Sequence, residues 1–174
     1  MDFLEIANTR QACRSYDPER GVEREKLEKV LEAARLAPSA CNAQPYLITV
    51  CTGEKKELVA ETTRGVGMNG FTKDVPVILV ISEKPEKKGV LGTLVPIDSY
   101  MALDMGIAAA YITAEATTQG LATCIIGWFD DEKIRAVCGN EGRTRLVIAL
   151  GYAKEGDPLR KKVRKTIDEL VKML

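Results

Sequence analysis

Pro38-Ser39-Ala40-Cys41-Asn42-Ala43-Gln44-Pro45 is the stretch whose reading decides the fold, as the joint between a helix and a strand. Before it, residues 23–37 carry Leu27, Val30, Leu31 and Ala34, the i, i+3, i+4, i+7 stripe of an amphipathic helix. Pro38 cannot continue that helix and disfavours helical geometry at Ala37, so a stop is predicted there. After it, Tyr46-Leu47-Ile48-Thr49-Val50-Cys51 is an apolar, β-branched run of strand length. Between the two prolines, Ser39, Asn42 and Gln44 can donate and accept hydrogen bonds. They read either as ordinary turn chemistry or as polar groups lined up along the edge of a flat heteroaromatic ligand.

Outward from this joint, a short helix is predicted over residues 2–8, with Phe3, Leu4 and Ala7 on one face. Residues 54–63 read as a helix of modest amphipathicity. Gly65, Gly67 and Gly70 surround Met68 and Asn69 in a loop that lacks the strand-turn-helix context of a dinucleotide fingerprint. Residues 75–81 are almost continuously apolar and predict a central strand, with Pro76 tolerable near its start. A charged connection with Lys84, Lys87 and Lys88 spans residues 82–95. Pro96 then opens the longest helix, running to about Gln119 and closed by Gly120. Its middle, residues 101–112, is apolar on nearly every face, which predicts burial all round and a second subunit to complete it. Gly106 and the alanines permit close helix approach. Residues 121–129 give a third strand ending at Gly127, Asp130 caps a helix over 131–137, and residues 145–152 give a fourth strand. A last helix is predicted over 166–174.

The chain of 174 residues suits one domain with a real core, residues 1–174. Its 25 basic and 25 acidic residues cancel, so no global field points to nucleic acid. Met1-Asp2-Phe3-Leu4-Glu5 does not open a signal peptide, and the longest uncharged apolar run, residues 105–113, is far short of the ~20 a membrane helix needs. Five scattered cysteines with no Cys-x-x-Cys pair predict reduced thiols. A soluble, cytoplasmic protein is expected. There is no histidine, which excludes Ser-His-Asp and Cys-His catalysis and histidine-based metal sites, and no metal is expected.

Two basic clusters remain. Arg10 and Arg14 read either as solvated arginines or as an anion site, since guanidinium grips phosphate bidentately. Arg160-Lys161-Lys162-Val163-Arg164-Lys165 places five positive charges in six residues. Without aromatic interleaving it argues poorly for nucleic acid and better for a second anion contact, with Lys162 and Arg164 meeting Arg10 at one phosphate.

Together these pieces resemble the nitroreductase family of FMN-dependent oxidoreductases, over nearly the whole chain. Arg10-Gln11-Ala12-Cys13-Arg14-Ser15-Tyr16 is similar to its N-terminal phosphate motif. The stretch from Pro38 to Tyr46 is similar to its Pro-Ser-x-x-Asn-x-Gln-Pro-Trp motif, the most specific of the four. Gly120-Leu121-Ala122-Thr123-Cys124-Ile125-Ile126-Gly127 matches its segment beside the flavin ring, and Lys162-Val163-Arg164-Lys165 matches its returning basic pair. The resemblance implies an α+β fold: a mostly antiparallel central sheet flanked by helices, in an intertwined homodimer with two FMN sites between subunits. It implies that Arg10, Gln11, Ala12, Lys162 and Arg164 surround the phosphate and Arg14 the pyrimidine edge. Ser39 and Asn69 would bond that edge from the same subunit. Pro38, Ala40 and Asn42 would approach from the other subunit, and the backbone at Ile125, Ile126 and Gly127 would face flavin N5. The family brings a ping-pong exchange in which NAD(P)H gives hydride to the flavin and a nitroaromatic, quinone or flavin acceptor takes the electrons.

The chain departs from the pattern at Ala12, where the family has a serine, so Gln11 or a backbone amide must compensate. Tyr46 replaces tryptophan, and Cys41 lies inside the flavin motif. Three rivals stand beside this reading: an FMN-binding storage or sensor module, a thiol redox protein using Cys41 or Cys13, and a nucleic-acid binder using the basic tail.

Overall fold

Period-two alternation along two central strands sets the layering. The computed structural model describes residues 1–84 and 97–174; the expected connection beyond Lys84, with Lys87, Lys88 and Pro96, lies outside the described residues. Four strands, β1 Tyr46–Cys51, β2 Val77–Glu83, β3 Ala122–Ile126 and β4 Thr144–Gly151, form one antiparallel sheet in the order β1-β2-β4-β3. The described helices are α1 Phe3–Thr9, α2 Arg24–Arg35, α3 Gly53–Thr63, α4 Ile97–Thr118, α5 Asp131–Cys138 and α6 Ile167–Leu170.

On β2, Val77, Leu79 and Ile81 face one side with Ile148 and Leu150 of β4. There they pack under Val30 and Ala34 of α2 and Met105, Ala109, Ile112 and Ala116 of α4. Ile78 and Val80 face the opposite side with Val147 and Ala149, beneath Val59 and Ala60 of α3 and Ile134 of α5. Both faces of β2 are thus covered, which is why its sequence is continuously apolar. Each fully buried aliphatic side chain stabilises the fold by about 1.5–3 kcal/mol relative to exposure. The result is the expected α+β architecture, a helix–sheet–helix sandwich.

Element ends follow local chemistry. Asp2 caps α1 rather than joining it: its Oδ1 accepts from the Glu5 N–H at 2.8 Å while the Glu5 carboxylate accepts from the Asp2 N–H. Asp130 accepts from the Lys133 N–H and starts α5 as expected. β2 begins at Val77, two residues later than the expected strand, so Pro76 stands outside the ladder and its missing N–H costs no bond. Gly151 is required beside it, because a Cβ there would lie 2.6 Å from Pro76 Cδ and 3.2 Å from the Tyr16 ring. The helix expected over 166–174 is a single turn capped by Thr166, and the chain extends again at Val171. A helix so short with no buried residue lacks the packing that sustains longer ones.

Two features position the site. Residues 12–17 run as a strap along the sheet: Ala12 bridges Thr123 of β3, the Cys13 N–H donates to the Thr123 carbonyl at 2.8 Å, and the Asp17 N–H donates to Tyr152 O. The strap fixes Arg10 beside β3. Second, α4 buries Met101, Met105, Ala108 and Ile112 but leaves Leu103 62% and Ile107 38% exposed, with Tyr100 and Tyr111. The sheet covers only one side of this mostly apolar helix. No described helix is long and apolar enough to cross a membrane.

Candidate functional site

The C-terminal segment returns to the strap and builds a cationic notch. Gln11 engages it with both ends of its amide: Nε2 donates to Pro158 O at 3.1 Å, and Oε1 accepts from the Arg160 N–H at 2.9 Å. Arg160 Nη2 donates to Ala12 O at 2.7 Å, and Lys162 Nζ donates to Arg10 O. A cavity of about 330 Å³ results, lined by Arg10, Gln11, Ala12 and residues 160–164, with no acidic side chain in its wall. Burial, and then the charges of Arg10, Arg164 and Arg160, hold the Lys162 ammonium below its ordinary pKa. Such crowding of cations is the electrostatic signature of a place for an anion. Five expected site residues, Arg10, Gln11, Ala12, Lys162 and Arg164, therefore converge here.

Beside the notch runs β3. Cys124 is buried in it, and burial raises its thiol pKa against the opposing charges of Arg14, Arg10 and Arg160, so those arginines lie within electrostatic reach of the strand. Arg14 is exposed and forms no ion pair among the described residues. Ile126 points into the core, Ile125 is on the open face, and Gly127 has open space where a Cβ would be, which leaves its backbone approachable.

The loop that opened the sequence reading is a short 3₁₀ turn, Ala40–Asn42, in an uncommon backbone. Cys41, Asn42 and Gln44 have φ of +53°, +54° and +47°. Ser39 Oγ accepts from the Gln44 N–H at 3.0 Å, and Gln44 Nε2 reaches Asn42 O and Oδ1 at 3.2 Å. The Ala40 N–H donates to Asp104 of α4. Pro38, Ser39, Ala40 and Asn42 line neither of the two cavities that Arg10 lines. Asn69 is left-handed at φ +53°, and its Nδ2 donates to Thr63 O at 3.1 Å, leaving Oδ1 without a donor among the described residues.

Two contributors escaped the sequence reading. Asp104 is the lone charge within the apolar segment 101–112, and that isolation was the signal for a buried partner. Arg160 was counted in the basic run but not placed; in an extended chain residues 160, 162 and 164 share one side.

Fold and site together define an α+β protein with a cationic notch at one edge of its sheet. The chain belongs to the nitroreductase family, whose sequence model matches residues 7–152. Lys162 and Arg164 lie beyond that match. The chain is 25% identical over 186 residues to the oxygen-insensitive NADPH nitroreductase of Helicobacter acinonychis, covering 84% of this chain and 85% of that one. It superposes on a nitroreductase family protein from Streptococcus pneumoniae with a TM-score of 0.86 at 24% identity, over 99% and 100% of the two chains. An FMN-dependent nitroreductase from Clostridium difficile gives a TM-score of 0.74 at 28% identity, over 95% and 94%.

Proposed function

We propose that residues 1–174 form one FMN-binding unit, an oxidoreductase that takes electrons from NAD(P)H and gives them to small acceptors such as nitroaromatics, quinones or flavins. The observation that carries this is the notch: cations from both ends of the chain converge on a wall with no carboxylate. A phosphate dianion supplies the missing charge. The nitroreductase relatives point to the rest of the ligand.

Arg10, Lys162 and Arg164 hold the phosphate, while Gln11 locks the tail in place and Ala12 offers only backbone. Arg14, close to β3, stabilises negative charge on the pyrimidine edge of the ring. Asn69 Oδ1 is free to accept from that edge, and the Ser39 hydroxyl, already accepting from Gln44, keeps its proton to donate. The approachable backbone at Gly127, with Ile125 and Ile126 before it, would lie beside the reactive ring nitrogen. When bound, FMN supplies the hydride and electron transfer, and no histidine is needed for it.

The site is completed by a second copy of the chain. Pro38, Ala40 and Asn42 reach the ring from the partner, and Ser39, held in the same loop, comes with them rather than from the subunit that binds the phosphate, in keeping with the absence of all four from the notch wall. A mostly apolar cleft of about 730 Å³ between α1 and α4 ends at Arg10 and Arg164 and gives the partner a seat. The basic run turns toward Arg10 and Ala12, so it is a ligand contact and not a nucleic-acid surface. Five free cysteines suit a cytoplasmic setting.

The test is the absorbance of the purified protein. About one FMN per chain, bleached anaerobically by NADH or NADPH and recovered on adding an acceptor, is the expected result. FMN binding without NAD(P)H oxidation would leave a flavin store or sensor. A colourless protein that neither binds added FMN nor melts higher with it would reject the reading.

A further inference from the structure

Two cysteines outside the proposed site are close enough to react with each other. We infer that Cys51 and Cys138 form an oxidisable dithiol, a modification site that closes to a disulfide when it meets a disulfide-class oxidant such as oxidised glutathione. Their sulfurs are 3.9 Å apart, although 87 residues separate them in sequence. Cys51 ends the edge strand β1 and is 3% exposed; Cys138 ends α5 and is partly exposed.

The backbones on either side are already tied together. Asn140, two residues beyond Cys138, donates to Thr49 Oγ1 of β1 at 3.2 Å and to Ser82 Oγ of β2 at 3.1 Å. Lys55, at the start of α3, donates to Val137 O at 3.2 Å. Drawing the sulfurs from 3.9 Å to the ~2 Å of a disulfide therefore takes side-chain rotation within a framework that already holds both residues.

The pair is also chemically unequal. The contact between the two sulfurs, in which either can donate, lowers the Cys138 pKa and raises that of Cys51, burial raising the latter further, with Lys55 favouring thiolate at both. Cys138 is both the better thiolate and the more accessible, so it attacks first. Its thiolate displaces one glutathione thiolate from oxidised glutathione and forms a mixed disulfide. Cys51 then loses its proton and attacks the Cys138 sulfur, releasing the second glutathione. Two protein thiols are oxidised, one reagent disulfide is reduced to two thiols, and the protein loses two hydrogens. The bridge would weld the edge strand to α5, away from the notch. The inference stands whether or not the chain binds FMN.

The experiment treats the folded protein as purified with oxidised glutathione, alkylates the remaining thiols under denaturing conditions and maps disulfides by peptide mass. The expected product links Cys51 to Cys138, reverts with dithiothreitol, and melts higher by roughly 5 °C or more because a long loop has been closed. Cys51→Ser should stop at the mixed disulfide on Cys138. Cys138→Ser should leave Cys51 unmodified, since burial shields it. If wild type keeps both thiols alkylatable while exposed Cys41 is oxidised in the same sample, the oxidant worked and the inference is wrong. A bridge that joins other cysteines would overturn it as well.

Discussion

The backbone N–H of Ala40 donates to Oδ1 of Asp104 across 3.1 Å, joining the loop after α2 to the middle of α4. Asp104 is 3% exposed, and its Oδ2 has no hydrogen-bond partner among the described residues. The loop it holds places Cys41, Asn42 and Gln44 in left-handed backbone, which costs on the order of 1–3 kcal/mol per residue. A buried carboxylate aimed at the first amide of that turn is one contact that offsets the strain.

Asp104→Ala leaves the Ala40 N–H unpaired, so stability should fall by about 1–3 kcal/mol in urea unfolding. If the loop touches flavin, FMN affinity should fall too. Asp104→Asn keeps an acceptor for Ala40 and should recover most of that affinity. Equal FMN affinity in wild type and Asp104→Ala would separate this contact from the site.

The notch makes a prediction about phosphate. Arg164 lines both the notch and the α1–α4 cleft, and it forms no ion pair among the described residues. Removing a charge-assisted contact costs roughly 1.5–3 kcal/mol, so Arg164→Ala should weaken FMN binding about 10- to 150-fold. Riboflavin, without a phosphate, should lose far less, and Lys161→Ala should change little for either ligand. Titration of apo-protein decides it.

Acidity acts on the same contact from both sides. A phosphate monoester becomes a dianion above about pH 6, so FMN affinity should rise through that pH. Lys162 titrates lower than an ordinary lysine in the free protein, because burial and then Arg10, Arg164 and Arg160 disfavour its charged form. A depressed lysine is charged below its folded pKa and neutral above it, so affinity should fall again on the alkaline side, earlier than for a solvated lysine. Lys162→Met should remove the alkaline limb and keep the acid one. A flat FMN profile parallel to that of riboflavin would contradict phosphate binding here.

Much of the frame was legible because its signals are local. Pro38 ended α2 within three residues of expectation, the apolar run of β2 announced a central strand covered on both faces, and β4 was placed within a residue of its ends. Arg10 and the basic pair Lys162 and Arg164 were also legible as charge. Partners were not. Asp104 finds Ala40 across 64 residues of sequence, and no spacing rule reports such a meeting. Gln11 was expected to compensate at the phosphate for the missing serine of Ala12, yet its amide is engaged by Pro158 and Arg160. Charge in a run says that cations exist, and only the extended tail shows which of them turn inward.

Gly142 tests the turn beside the sheet's irregularity. The β2–β4 register slips between Ile81 and Ser82, and a Cβ on Gly142 would fall 1.8 Å from the Glu83 carbonyl oxygen. That clash is with backbone, so rotation of a side chain cannot relieve it. Gly142→Ala should destabilise by about 1–3 kcal/mol through forced backbone movement. Unchanged melting would mean that the turn is more pliable than its contacts imply.

The exposed side of α4 carries the last prediction. Leu103 and Ile107 stand one turn apart on it, and Gly106 beside them has nothing within 4 Å of a built Cβ. An apolar face with a smooth patch at its centre suits a second helix packed closely against it. Edge-strand residues Leu47 and Val50 and tail residues Ile167, Leu170 and Met173 are exposed as well. A dimer of 19.1 kDa chains should therefore appear in light scattering and persist on dilution. Placing aspartates at Leu103 and Ile107 buries two unpaired charges in that interface, which should yield monomers. On the proposed shared site those monomers should also lose FMN, since Pro38, Ala40 and Asn42 would no longer reach a ring held by the partner, while the notch itself is untouched. A monomeric wild type that still holds FMN tightly would break both the interface and the shared site.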